Sequence, residues 1–534
     1  VVESNKIANI LVLLQFPATI RTSTSDLKCN VRVRIESGWV CGLRRQGEYD
    51  VEYASFRGIP YAQQPLGELR FKELQPVRPW PHHLDATEEG PICPQHDELY
   101  GNMVKPYRGM SESCIYANVH VPLEALPTFE KTDQHEYHKE YVNRNSRKGV
   151  PIFVFIHGGA FQSGSGDTDL QGPEYLVGKG IIVITFNYSY CKYAGATSAH
   201  LLTLSNATKG LFKRVILMSG VALPAYYTTS PVYANMAATR FLTILGINST
   251  NPDVIHDRLV NTPLDEILNA NTIYQYESGL VSFSPVMEAK YPGVMRIIDD
   301  DPINLIKRGR GKELPMIVGF ANEECEYFRK RCMYLEILRR IKEDPRLILA
   351  LGIPLSTSPN IALELAEKVI EKYFHGKLTL DRYLDVCRDT LFGYPSFKVA
   401  EWRAEMNAAP VYLYQFSYDS DFSAVKAGLN LRYKGSAHVE DLTYIFRENA
   451  VLGVEKSLPL RNRDDLMKDW MTQFVVNFIR CNEPTCGEPG WRPVQAHLLN
   501  YQRIQEPAVY WDTLPTEDQR DMIKFFDKIE HIAR

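Results

Sequence analysis

Nothing in these 534 residues is apolar for long enough to cross a bilayer as a helix. Lys and Arg form no block, and the net charge is −4. A nucleic-acid partner needs a clustered positive face, so that class is excluded. Cysteine is sparse: 10 residues in a chain of this length do not make a disulfide-built scaffold. No internal repeat and no low-complexity linker is present, which excludes a solenoid or a tethered array.

What remains is ordinary for a soluble globular protein, with 45% hydrophobic and 23% charged residues. Tyr (30) and Phe (23) are plentiful, enough for a large core or for an aromatic-lined pocket. Ile7–Phe16, preceded by Lys6, resembles the apolar centre of a secretory signal but lacks a small-x-small cleavage site. Residues 1–28 are therefore expected to be a signal-like or disordered remnant ahead of one domain, 29–534.

The informative stretch begins at Pro151. Ile152–Ile156 is a short apolar run rich in β-branched residues, read as a buried parallel strand. His157-Gly158-Gly159-Ala160-Phe161 follows, and Ile181–Phe186 is a second strand of the same type. A His-Gly-Gly corner after a buried strand turns backbone N–H groups toward a ligand. These residues resemble the type-B carboxylesterase and cholinesterase family, most closely its insect antennal branch. Phe56-Arg-Gly-Ile-Pro-Tyr-Ala62 and Ser111-Glu-Ser-Cys-Ile-Tyr-Ala-Asn-Val119 match its two N-terminal signatures, the second departing at Ser113. The resemblance spans roughly Ile35 to Phe526. It implies an α/β-hydrolase fold, a mostly parallel central sheet flanked by helices. It implies no cofactor or metal, and a small-molecule ester as substrate.

The same stretch is interrupted. In that family a crossover helix and a further strand follow, ending in the nucleophile elbow Gly-x-Ser-x-Gly. Here Ala194-Gly195-Ala196-Thr197-Ser198-Ala199-His200 resembles the end of the elbow and its helix, but Cys191-Lys192-Tyr193 stands where Gly-Glu-Ser is expected. Only residues 188–194 separate the strand from that helix, whereas a parallel crossover needs a dozen residues or more. One central strand, its crossover helix and the serine are expected to be missing. Tyr193 holds the serine's place, and a phenol with a pKa of ~10 is a poor nucleophile. Ser189 and Cys191 lack the small neighbours that an elbow's strain demands.

The other parts of a hydrolase are implied by the resemblance. Glu324, just beyond strand Met316–Ala321, takes the place of the acid that orients the base, with Cys325 where relatives have glycine. His438, in Gly435-Ser-Ala-His438, takes the place of the base; the order acid then histidine suits this fold. Gly158, Gly159 and Ala194 would supply the oxyanion N–H groups, and His157 reads as structural. Cys93 and Cys114 would be bonded, Glu112 would pair with Arg70, and the remaining cysteines stay unassigned. Of three Asn-x-Ser/Thr sequons, Asn206 and Asn248 suit a glycan, while Asn187 ends a buried strand.

Two readings compete. One is a secreted, extracellular carboxylic ester hydrolase by lineage, acting on odorants or xenobiotics, here a truncated form inactive for want of its serine. The other is a non-catalytic binding or adhesion protein. Retention of Glu324, His438 and the His-Gly-Gly loop favours the first. Oligomeric state is not legible.

Overall fold

A computed structural model describes residues 29–96, 109–126, 149–160, 162–188, 195–223, 231–279, 283–292, 294–350, 352–420, 423–448, 463–510 and 512–533. The signal-like segment, the polar run 131–148 and the join at 189–194, with Ser189, Cys191, Tyr193 and Ala194, lie outside them.

The strands fall into two sheets. The first contains β1 (Val31–Ile35), β2 (Gly38–Gln46), β3 (Glu52–Pro60), β5 (Tyr116–Pro122), β7 (Ile182–Phe186) and β6 (Ile152–Phe155), hydrogen-bonded in that order, with short β4 (Leu84–Asp85) beside β2. The second runs β12 (Asp512–Thr513), β11 (Tyr501–Ile504), β10 (Val411–Phe416), β9 (Met316–Ala321), β8 (Val215–Met218). Strands β1, β2, β3, β5 and β7 pair antiparallel, and Val31, Val33 and Ile35 alternate with Arg32, Arg34 and Glu36 as a half-exposed edge strand does. Parallel pairing holds for β6–β7 and throughout β8–β9–β10–β11. Arg32, which that alternation assigns to solvent, is buried, its Nε donating to Cys29 Sγ at 3.2 Å.

Among the described residues no strand pairs with the outer edge of β6 or of β8. The consequence shows in burial. All six residues of β9 are buried, as a strand covered on both faces should be. In β6, read from sequence as a buried strand, no residue is buried and Val154 is 38% exposed. Among the described residues its four residues pair with β7 alone.

One shared core still joins the halves. Ile181 and Val183 of the first sheet cluster with Ile317, Tyr412 and Tyr414 of the second, and Phe153, Phe155, Ile216 and Met218 pack against the same cluster. A helix at Arg463–Cys481 covers it, burying Met467, Trp470, Met471, Phe474, Val475 and Phe478 at the three-and-four spacing of one helical face. The opposite face of the second sheet carries the largest core, covered by the helices Pro359–Phe374, Leu380–Arg388, Tyr394–Glu405 and Glu517–Ala533. Among the described residues no helix is long and apolar enough to cross a membrane.

Candidate active site

The acid and base expected from sequence come together at the end of the second sheet. Strand β9 ends at Ala321, and the chain tightens at once into a turn of 3₁₀ helix over Glu324–Phe328. Glu324 is fully buried there. Its Oε1 accepts the N–H of Ala321 at 2.7 Å, and its Oε2 lies 2.8 Å from His438 Nδ1. The His438 N–H donates to the Glu324 carbonyl at 3.2 Å, so main chain and side chain both register the two segments. The neighbouring carboxylates are used elsewhere: Glu323 accepts from Asn322, and Glu326 pairs with Arg329. Geometry thus separates Glu324 from Glu323 and Glu326.

The imidazole is packed among Tyr327, Phe328 and Phe392, at ring-centroid distances of 5.6, 5.5 and 5.1 Å. With Nδ1 committed to Glu324, Nε2 is the nitrogen left for proton transfer. Such a pair takes a proton from an attacking hydroxyl and returns it to the leaving alcohol.

Cys325 is bonded to Cys387, tying the acid's turn to the helix Leu380–Arg388. Directly behind the base, Asp441 is fully buried and accepts from the Tyr414 hydroxyl at 2.7 Å. Burial pushes its carboxyl up to about 6, with Glu324 adding to the effect. Sequence reasoning assigned neither Glu440 nor Asp441 a role. The available signal was two adjacent acids two and three residues after His438 in an otherwise largely apolar segment.

The His-Gly-Gly loop keeps a built conformation. Gly159 has φ +123°, and a Cβ there would sit 1.8 Å from the Ser163 carbonyl oxygen, so no other residue fits. The Gly159 carbonyl accepts from the N–H groups of Gln162 and Ser163 at 2.8 and 3.1 Å. Gln95 clamps the loop's far side, exchanging two hydrogen bonds with the Gly164 main chain. His157 stacks on Tyr188 at 4.2 Å, and the Tyr188 hydroxyl donates to its carbonyl at 2.6 Å. Burial lowers the His157 imidazole to about 4, which keeps it neutral near pH 7.

The first residue of helix Gly195–Leu204 presses on the same loop. A Cβ on Gly195 would lie 2.1 Å from the Ile156 carbonyl oxygen. Farther along that helix, Thr197 donates to the Val221 carbonyl at 3.3 Å, and His200 Nδ1 accepts the Ala222 N–H at 3.0 Å. The helix that would follow a nucleophile is thus anchored to the segment after β8. Ala194, the third oxyanion donor implied by the resemblance, falls outside the described residues.

Of the remaining expectations, Cys93 and Cys114 are bonded, as are Cys29–Cys41 and Cys481–Cys486, while Cys332 is free and buried. Arg70 Nε meets Glu112 at 2.5 Å, and its Nη1 also caps the carbonyls of Leu259, Val260 and Thr262 at the end of helix Pro252–Asn261. Asn206 and Asn248 are exposed. Asn187 is buried and accepts the Gly166 N–H at 2.7 Å.

The sequence profile of the Carboxylesterase family matches residues 30–193 and 190–522. The chain belongs to that family. It is 39% identical to juvenile hormone esterase of Heliothis virescens, with 93% of this chain and 94% of that protein covered. A carboxylic ester hydrolase of Bombus ignitus is 26% identical, with 93% and 94% covered. Among solved structures, juvenile hormone esterase from Manduca sexta, with OTFP covalently attached, superposes with TM-score 0.87 at 43% identity, covering 94% of this chain and 99% of that one. This carboxylesterase chain accordingly has the α/β-hydrolase fold, in a family of carboxylic ester hydrolases.

Proposed function

We propose that this chain descends from a serine carboxylesterase of small apolar esters and, through an internal deletion between Asn187 and Gly195, no longer hydrolyses them. The observation that carries the lineage is the 2.8 Å contact between Glu324 and His438; the built conformation of the His-Gly-Gly loop, with Gly159 at φ +123°, agrees with it. Acyl transfer then needs a hydroxyl that gives its proton to His438 Nε2, bonds to the ester carbonyl and holds the acyl group until water releases it. Tyr193 stands in that hydroxyl's place. The loss of activity is further supported by the outer edges of β6 and β8, which pair with no strand among the described residues, and by family matches that meet at 190–193.

The likeness to juvenile hormone esterases makes juvenile hormone the first ester to try, ahead of odorants and xenobiotics. The same chain treated with a fluorophosphonate probe should remain unlabelled and leave these esters intact. A version with the strand, elbow and crossover block of the Manduca protein restored should be labelled at the new serine. Stoichiometric labelling of the present chain, at Ser189, Cys191 or elsewhere near His438, would sink the proposal.

A non-catalytic binding protein is the weaker reading, because acid, base and oxyanion loop all keep a geometry that binding alone does not require. Secretion is part of the proposal, supported by four disulfides and by exposed Asn206 and Asn248. Protein expressed in a secretory insect cell should carry a glycan at Asn248, read from the mass of that peptide. Bare Asn206 and Asn248 in exported protein would count against it.

A further inference from the structure

We propose that Glu440 is the positioning residue of the base: its carboxylate closes the turn Ala437–Glu440 and so holds the His438 imidazole against Glu324. The turn is unusual in its third residue. The Glu440 N–H donates to the Ala437 carbonyl at 3.2 Å, the hydrogen bond of a four-residue turn. His438 is its second residue and Val439 its third, with φ 67° and ψ −2°. Turns with that left-handed third residue take glycine or asparagine, and a β-branched residue there is an outlier that survives only when its surroundings fix it.

Glu440 supplies that fixing. Its side chain is buried, and its Oε2 accepts the Ala437 N–H at 2.5 Å, closing the turn a second time. Two further donors come from separate segments. The Tyr433 hydroxyl reaches Oε2 at 2.8 Å, and the Ser423 hydroxyl donates to Oε1. Ser423 also caps the helix Ala424–Leu429 by accepting the Lys426 N–H. One carboxylate therefore ties the His438 turn to the helix start at 423 and to the loop at 433. The strained Val439 places the imidazole, and Glu440 keeps Val439 strained.

The inference rests on reading His438 as the base, but its test needs no catalysis. In ¹⁵N-histidine-labelled protein, the Nδ1–H held by Glu324 should give a low-field, slowly exchanging proton resonance, assigned by its loss in His438→Gln. That resonance should disappear in Glu440→Ala and persist in Glu440→Gln, whose amide still accepts from Ala437 and donates to Ser423. It should return in Glu440→Ala/Val439→Gly, because glycine adopts the turn without help. A folded Glu440→Ala protein with the resonance unchanged overturns the proposal and leaves the acid–base pair standing. Absence of the resonance from the parent removes the pair, and the proposal with it. Should Glu440→Ala fail to fold, Tyr433→Phe decides: faster exchange of the same proton supports the proposal, and an unchanged rate overturns it.

Discussion

A carboxylate whose burial outweighs the charges around it makes stability depend on pH in an uncommon direction, and Asp441 is such a group. Its folded value of about 6 lies above the ordinary 3.8 because burial disfavours the charged form. The native state therefore binds the proton more tightly than the unfolded chain. Stability from this group is complete below about pH 4 and falls as pH rises to about 6, by on the order of 3 kcal/mol. Asp441→Asn keeps an acceptor for the Tyr414 hydroxyl and cannot ionise. Urea unfolding at pH 4 and pH 7 should show the parent losing about that much more than the variant; equal losses would refute the assignment. Such residues are the part of the site that sequence reading does not reach. Glu324 and His438 were legible only through the family resemblance, whose register singles out Glu324 from Glu323 and Glu326. Asp441 depends on Tyr414, 27 positions away, and nothing in an acid's neighbours reveals whether it is buried. Cysteine pairing behaves alike: Cys325 bonds Cys387 at a separation of 62 and leaves the nearer Cys332 free.

At the scale of elements, legibility followed burial. Strands β7, β9 and β10 are apolar throughout or nearly so, and the helices Pro359–Phe374 and Glu517–Ala533 show a clear apolar stripe, so composition and period sufficed. Tyr501–Ile504 is a four-residue strand interrupted by Gln502 and Arg503, too short and too polar to declare itself. The exposure of β6 is a different case. Its sequence has the composition of a central strand, Ile-Phe-Val-Phe, yet Val154 is exposed, and among the described residues no strand pairs with its outer edge. Propensity records the environment that a segment was selected for. On the proposed deletion, β6 and β8 keep that record after their environment has changed. The helix Gly195–Leu204 keeps it too, since its glycine still abuts the end of β6 as though an elbow preceded it.

For the whole molecule, the proposed deletion bears on stability as much as on catalysis. Among the described residues the outer edges of β6 and β8 pair with no strand, and each 100 Å² of apolar surface left uncovered forgoes about 2.5 kcal/mol. Net stabilities of 5–15 kcal/mol are typical, so a few such patches matter. The shared cluster around Ile181, Ile317, Tyr414 and the helix Arg463–Cys481 gives the two sheets a common core, which argues for a folded but weakened protein rather than an unfolded one. Exposed strand edges also invite pairing between copies. Restoring the strand, elbow and crossover block should therefore raise Tm by several degrees or more, reduce binding of an apolar dye such as ANS, and slow aggregation on warming. The comparison needs no active site: a restored chain whose nucleophile is replaced by alanine should gain the same stability while remaining unlabelled by fluorophosphonate. If that inert version melts with the present chain and binds as much dye, β6 and β8 have already closed against one another in solution, and the open edges are not the source of any weakness.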